Sequence, residues 1–180
     1  MATNQSLKLQ NTFRPNGRVF EVERSAAEHS AVVRMLLEDF DEPDLLVTII
    51  PISIDTSDDT LAKVFEWATH HKNMPKPALD DDGDRDEVVT IQLASWDDEF
   101  FSDIDSETLY GILIATNYLD IKPLYDMAVQ VVVNMVRGKS TKQIREILGI
   151  TSDFTAEEEA AIRKETAWAY DGEEVPNETS

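Results

Sequence analysis

The sequence predicts an α/β (α+β) fold, a mixed body of strands and helices with further helices stacked after it. Three observations carry this reading. Alternating apolar residues flank an Asn-Gly turn near the start, β-branched residues fill 46–50, and beyond Trp96 apolar positions recur at helical spacing almost without a break.

The first element reads as a hairpin. Leu7-Lys8-Leu9-Gln10 alternates, Arg14-Pro15-Asn16-Gly17-Arg18 supplies the turn, and Val19-Phe20-Glu21-Val22 alternates again. Asn-Gly marks such turns because both residues tolerate positive φ. Residues 25–39 read as one helix, with Val32, Val33, Leu36 and Leu37 at three-and-four spacing, followed by an acidic loop over 39–44 that holds Pro43. Leu46-Val47-Thr48-Ile49-Ile50 is expected to form a buried strand. Residues 58–71 then carry Leu61, Val64, Phe65 and Ala68 on one helical face. Between 72 and 90 the character changes: Pro75, Pro77 and the run Asp80-Asp81-Asp82-Gly83-Asp84-Arg85-Asp86-Glu87 bury nothing, and a mobile loop is expected.

Helices follow. Residues 106–119 carry Leu109, Ile112, Leu113 and Thr116; Pro123 fits a first helical turn, and Leu124, Ala128, Val131 and Met135 form the next stripe, up to Gly138. Ser140-x-x-Gln143 and Thr155-x-x-Glu158 are capping boxes. The first opens a helix with Ile144, Ile147 and Leu148, closed by Gly149; the second opens an acidic helix to about Trp168, before a polar tail from Asp171. Isolated helices shorter than about 12–15 residues are marginal in water, so these last two need a surface to pack on.

Composition narrows the function. The net charge of −20, from 36 acidic and 16 basic residues, repels phosphate backbones and anionic lipid, which argues against nucleic acid and membrane surfaces as partners. The absence of cysteine excludes disulfides and thiolate metal sites. Residues 1–9 lack the apolar core of a signal peptide, and no stretch approaches the roughly 20 apolar residues of a membrane span. A soluble intracellular protein is expected.

The sequence carries little that points to chemistry. Without cysteine, a zinc site would need to combine the histidines His29, His70 and His71 with carboxylates at convergent positions, whereas His70 and His71 suit a helix C-terminus. Taking Gly83 as an EF-hand glycine puts Ala78 and Val89 at the first and twelfth ligand positions, where neither can bind calcium. Gly138-Lys139-Ser140 lacks the first P-loop glycine, which would fall on Val133. No Gly-x-Ser-x-Gly elbow occurs, so no motif demands catalysis, a metal or a cofactor. The stronger signal is apolar material in polar settings: Trp168 among charges, and Asn117-Tyr118 at a helix end, each either a docking residue or an internal anchor.

Several blocks, in order, resemble the Skp family, the S-phase-kinase-associated adaptors of SCF ubiquitin ligases. They include Met35-Leu36-Leu37-Glu38-Asp39, Trp67-Ala68-Thr69-His70-His71-Lys72, Trp96-Asp97-Asp98-Glu99-Phe100 and, most characteristic, Ala115-Thr116-Asn117-Tyr118-Leu119-Asp120-Ile121-Lys122. Asn134-Met135-Val136-Arg137-Gly138-Lys139 and Asp153-Phe154-Thr155-Ala156-Glu157-Glu158-Glu159 complete the series. The resemblance implies a BTB/POZ-like body over 6–138, F-box-binding helices over 139–170 and a flexible tail over 171–180. It implies an adaptor that performs no chemistry, bridging a cullin scaffold to interchangeable F-box proteins in cytoplasm and nucleus; without an F-box partner, exposed apolar surface would offer a route to self-association. Asn117 and Tyr118 match cullin-facing positions; Leu148, Ile150, Phe154, Arg163 and Trp168 match positions that contact or frame the F-box. The apolar stretch 46–55, the segments 1–6 and 172–180, and Ala167 and Ala169 around Trp168 depart from the family pattern. The alternative is a BTB-like scaffold or oligomerisation protein acting outside an SCF complex; the segment after Gly138 separates the two, because a minimal BTB-like module does not require it.

Overall fold

The structure, a computed structural model, describes residues 5–39, 48–77, 93–151 and 154–165. The expected acidic loop at 39–44 (beyond Asp39), the run 80–87, Trp168 and the tail from Asp171 lie outside them. The chain divides into two compact units, Met1–Arg137 and Gly138–Ser180.

The first unit is built on a three-stranded sheet with β1 (Ser6–Asn11) in the middle. β2 (Val19–Glu23) pairs with it antiparallel, Leu9 opposite Phe20, and β3 (Ile49–Ile52) pairs with it parallel, Leu9 opposite Ile50. The hairpin is as expected, but its turn chemistry is not. Only Asn16 takes a positive φ, +66°. Gly17 is needed for space instead: a Cβ there would lie 1.8 Å from the Asn11 carbonyl oxygen. Leu46 and Val47 of the expected strand lie outside the described residues; β3 runs through Pro51, which an edge strand tolerates because the missing donor faces away from the sheet. It is half-buried, with Ile50 and Ile52 inside and Ile49 and Pro51 outside.

The single helix expected over 25–39 is two, α1 (Arg24–Ala27) and α2 (Ala31–Glu38). Ser30 makes the break: its hydroxyl accepts from the Val33 amide, capping α2, and donates to the Leu119 carbonyl. α3 (Asp58–His70) starts at the Ser57 cap and buries Leu61, Val64, Phe65, Trp67 and Ala68. α4 (Ser95–Ser102) brings Phe100 and Phe101 to the same core. α5 (Ser106–Leu119) is capped by Asp105 and ends on Asp120 in the left-handed region; α6 (Lys122–Val136) opens with Pro123 in its first turn.

Two buried polar groups pin this unit. The Asn11 side chain donates to the Ile54 and Thr56 carbonyls and accepts from the Phe13 and Ile54 amides, so all its hydrogen-bonding capacity is used where the loop leaves β3. Asp97 accepts at one oxygen from Trp67 Nε1 at 3.0 Å and His71 Nε2 at 2.9 Å, joining α4 to the end of α3. Around it His70 stacks on Trp96 at 3.7 Å, and Trp96 on Phe100 at 5.2 Å.

The second unit contains α7 (Thr141–Leu148) and α8 (Ala156–Glu165). Ser140 and Gln143 form the full reciprocal capping box. Gly149, at φ +64°, closes α7 with amide bonds from Gly149 to Glu146 and from Ile150 to Arg145. Thr155 and Glu158 cap α8 in the same reciprocal way.

Candidate protein-docking surfaces

α5 has two faces with different tasks. Leu109, Ile112, Ala115 and Leu119 point into the core, and Gly111 lets the helix sit tight on the start of α3, where a Cβ would meet Thr56 Oγ1 at 2.6 Å and Thr60 Cγ2 at 2.8 Å. The opposite face presents Tyr110, Ile114, Asn117 and Tyr118, which at this spacing form one stripe. Ile114 is 51% exposed and Tyr118 44%, so the stripe is apolar surface in contact with water.

Its geometry is fixed from below. The Leu119 carbonyl accepts from Ser30 Oγ, the Asp120 carbonyl accepts from the Ala31 amide at 3.2 Å, and Thr116 Oγ1 donates to the Ile112 carbonyl. The last turn of α5 is therefore held on the start of α2. Tyr118 Oη accepts from the Ser53 amide at 3.4 Å, which orients the ring toward the end of β3. Asn117 and Tyr118 thus lie side by side, exposed, on a rigid support, as a docking surface requires.

α6 carries a stripe that sequence reading missed. Leu124 and Ala128 are buried and Val131 and Met135 pack against the core, as the apolar spacing predicts. Tyr125, Val129 and Val133, at four-residue spacing, are exposed on another side. The available signal was the run Val131-Val132-Val133: a helix apolar beyond one stripe has more to bury than its own core takes.

In the second unit α7 buries no residue, and Leu148 is only half-buried. Ile150 is 55% exposed and Phe154 49%, one on each side of the connection to α8. Arg163 lies on α8, its side chain outside the described set, and Trp168 lies outside the described residues altogether. The histidines serve the fold: His29 Nε2 donates to the His71 carbonyl at 2.7 Å, His71 holds Asp97 and His70 stacks on Trp96. Among the described residues, no three or more His, Asp or Glu side chains are grouped to hold a metal, and no helix is long and apolar enough to cross a membrane.

Two family models match the chain. The Skp1 family tetramerisation domain, a POZ-type module, covers residues 15–73, and the Skp1 family dimerisation domain covers 122–169. Among curated relatives, the E3 ubiquitin ligase complex SCF subunit sconC of Talaromyces marneffei is 43% identical over 83% of this chain and 89% of its own length. The protein of the same name from Emericella nidulans is 43% identical over 87% and 92%, and the suppressor of kinetochore protein 1 of Schizosaccharomyces pombe 40% identical over 84% and 91%. The resemblance drawn from the ordered blocks and the BTB/POZ-like α/β reading are both borne out. The chain belongs to the Skp1 family.

Proposed function

We propose that this chain is the adaptor subunit of an SCF E3 ubiquitin ligase, joining a cullin scaffold to F-box substrate receptors and acting by binding alone. The observation that carries the reading is the match, over more than four-fifths of the chain, to proteins named as SCF subunits. The exposed surfaces supply its physical content. Asn117 and Tyr118, with Ile114 and Tyr110 beside them, would meet the cullin. Leu148, Ile150, Phe154, Arg163 and Trp168 would meet or frame the F-box, where aliphatic and aromatic anchors among charges suit a partner that is bound and later exchanged. The exposed stripe of Tyr125, Val129 and Val133 supports self-association of the free chain. The role carries with it a location in cytoplasm and nucleus, which imaging of a tagged chain tests.

The test is co-purification with a cullin and an F-box protein. Replacing Asn117 and Tyr118 with lysine is expected to remove the cullin and keep the F-box protein. Removing residues 140–180 is expected to do the reverse. Unchanged capture of both partners by both variants would overturn the reading.

A further inference from the structure

His29 is a buried titratable residue with no part in either proposed surface. It is 1% exposed, at the corner between α1 and α2. Its Nε2 lies 2.7 Å from the His71 carbonyl oxygen. A carbonyl only accepts, so Nε2 carries the proton, and in the neutral ring Nδ1 is then a bare lone pair. Nδ1 is buried without a hydrogen-bond partner among the described residues. The Trp67 ring stands edge-on to the imidazole at 5.6 Å.

Adding a proton to Nδ1 would bury a donor with nothing to accept it, on a ring that has become a cation. The titratable groups that act on the ring do not help. They are Arg34 of α2, and His71 and Lys76 beyond α3, and each disfavours a further positive charge. Carboxylates on the surrounding elements are engaged elsewhere: Glu28 with Arg24 at 3.0 Å, Glu23 with Lys72 at 2.8 Å, and Asp97 with Trp67 and His71.

We propose that His29 is an acid-sensitive latch, which when neutral ties the α1–α2 corner to the end of α3 and when protonated lets that corner leave. The corner carries more than its own bond. The next residue, Ser30, caps α2 and donates to the Leu119 carbonyl, and the Ala31 amide donates to the Asp120 carbonyl. Opening the latch therefore releases the last turn of α5, the support under Asn117 and Tyr118.

Burial, with the nearby cations adding to it, holds the ring below its ordinary value of 6.5 despite the opposing bond to His71. With the folded value depressed, the opened state binds more protons at pH values between the two. The closed state is thus fully favoured above pH 6.5 and loses stability as pH falls below it, approaching tenfold in the opening equilibrium per pH unit.

Amide hydrogen exchange of the full chain tests this at pH 7.5 and 5.5, after correction for intrinsic exchange rates. Protection at residues 30–34 and 117–121 should fall on acidification in the native chain, by up to about tenfold, and stay level in His29→Gln, whose side-chain amide can still donate to the His71 carbonyl. Equal loss in both chains, or no loss in either, would overturn the latch. Nitrogen NMR of the native His29 ring decides the matter should His29→Gln fail to fold. An Nε2–H tautomer titrating below 6.5 supports the latch; an Nδ1–H tautomer or a midpoint at or above 6.5 refutes it. Both readouts are independent of cullin binding, so the latch and the proposed partners stand or fall separately.

Discussion

In the body, Leu7, Leu9, Leu61, Ile112 and Leu124 have no exposed surface, whereas after Gly138 the prominent apolar residues Ile150 and Phe154 keep about half of theirs. The two regions hold their shape by different means. The body is organised by burial, around Trp67 and the sheet, with Asn11 and Asp97 using their hydrogen-bonding capacity inside it. α7 and α8 are held at their ends, by capping boxes and a left-handed glycine, and their apolar side chains are left over. The body exposes Ile114, Tyr118, Val129 and Val133 on helices whose other face is buried, whereas α7 leaves its apolar residues part-exposed with no buried face of its own.

Substitutions in each region test that contrast. Trp67→Ala should have the largest effect, about 3–5 kcal/mol from the cavity, with Asp97 also losing a donor; urea denaturation of the full chain measures it. A loss below about 1 kcal/mol would mean the body is not organised around that ring. Gly111→Val should cost about 1–3 kcal/mol by forcing α5 off Thr56 and Thr60, read in the same way. Leu148→Ala should leave the denaturation midpoint nearly unchanged while weakening F-box binding about tenfold, or roughly 1.4 kcal/mol, by titration calorimetry. Ser140→Ala should cost about 1 kcal/mol, confined to α7 and seen as faster amide exchange there with no change in the body.

The legible parts of this fold are those that local chemistry decides. Both capping boxes, the Gly149 stop and the alternation of β1 and β2 follow from residues within one turn or one pleat of each other. The break at Ser30 was hidden because apolar spacing continues through it, and the carbonyl its hydroxyl binds belongs to Leu119, 89 residues away. Asp97 looked like one carboxylate among many; only the fold brings Trp67 and His71 to it. Asn117 and Tyr118 stand out as docking residues through family resemblance alone, since their spacing does not separate an outward face from an inner anchor. The exposure of Val129 and Val133 was equally invisible, because burying an apolar residue depends on what lies opposite it.

The edge of the sheet has a consequence for assembly. Ile52 turns its carbonyl toward β1, where the Thr12 amide meets it, so the backbone at 51 and 53 faces outward. Position 51 is proline and has no donor, and the Ser53 amide is occupied by the Tyr118 hydroxyl. A strand from a second molecule, laid along this edge, would find two successive rungs of its ladder missing. Growth by strand addition is therefore hindered along β3, so of the sheet's two edges this one favours side-chain contacts over a continued ladder.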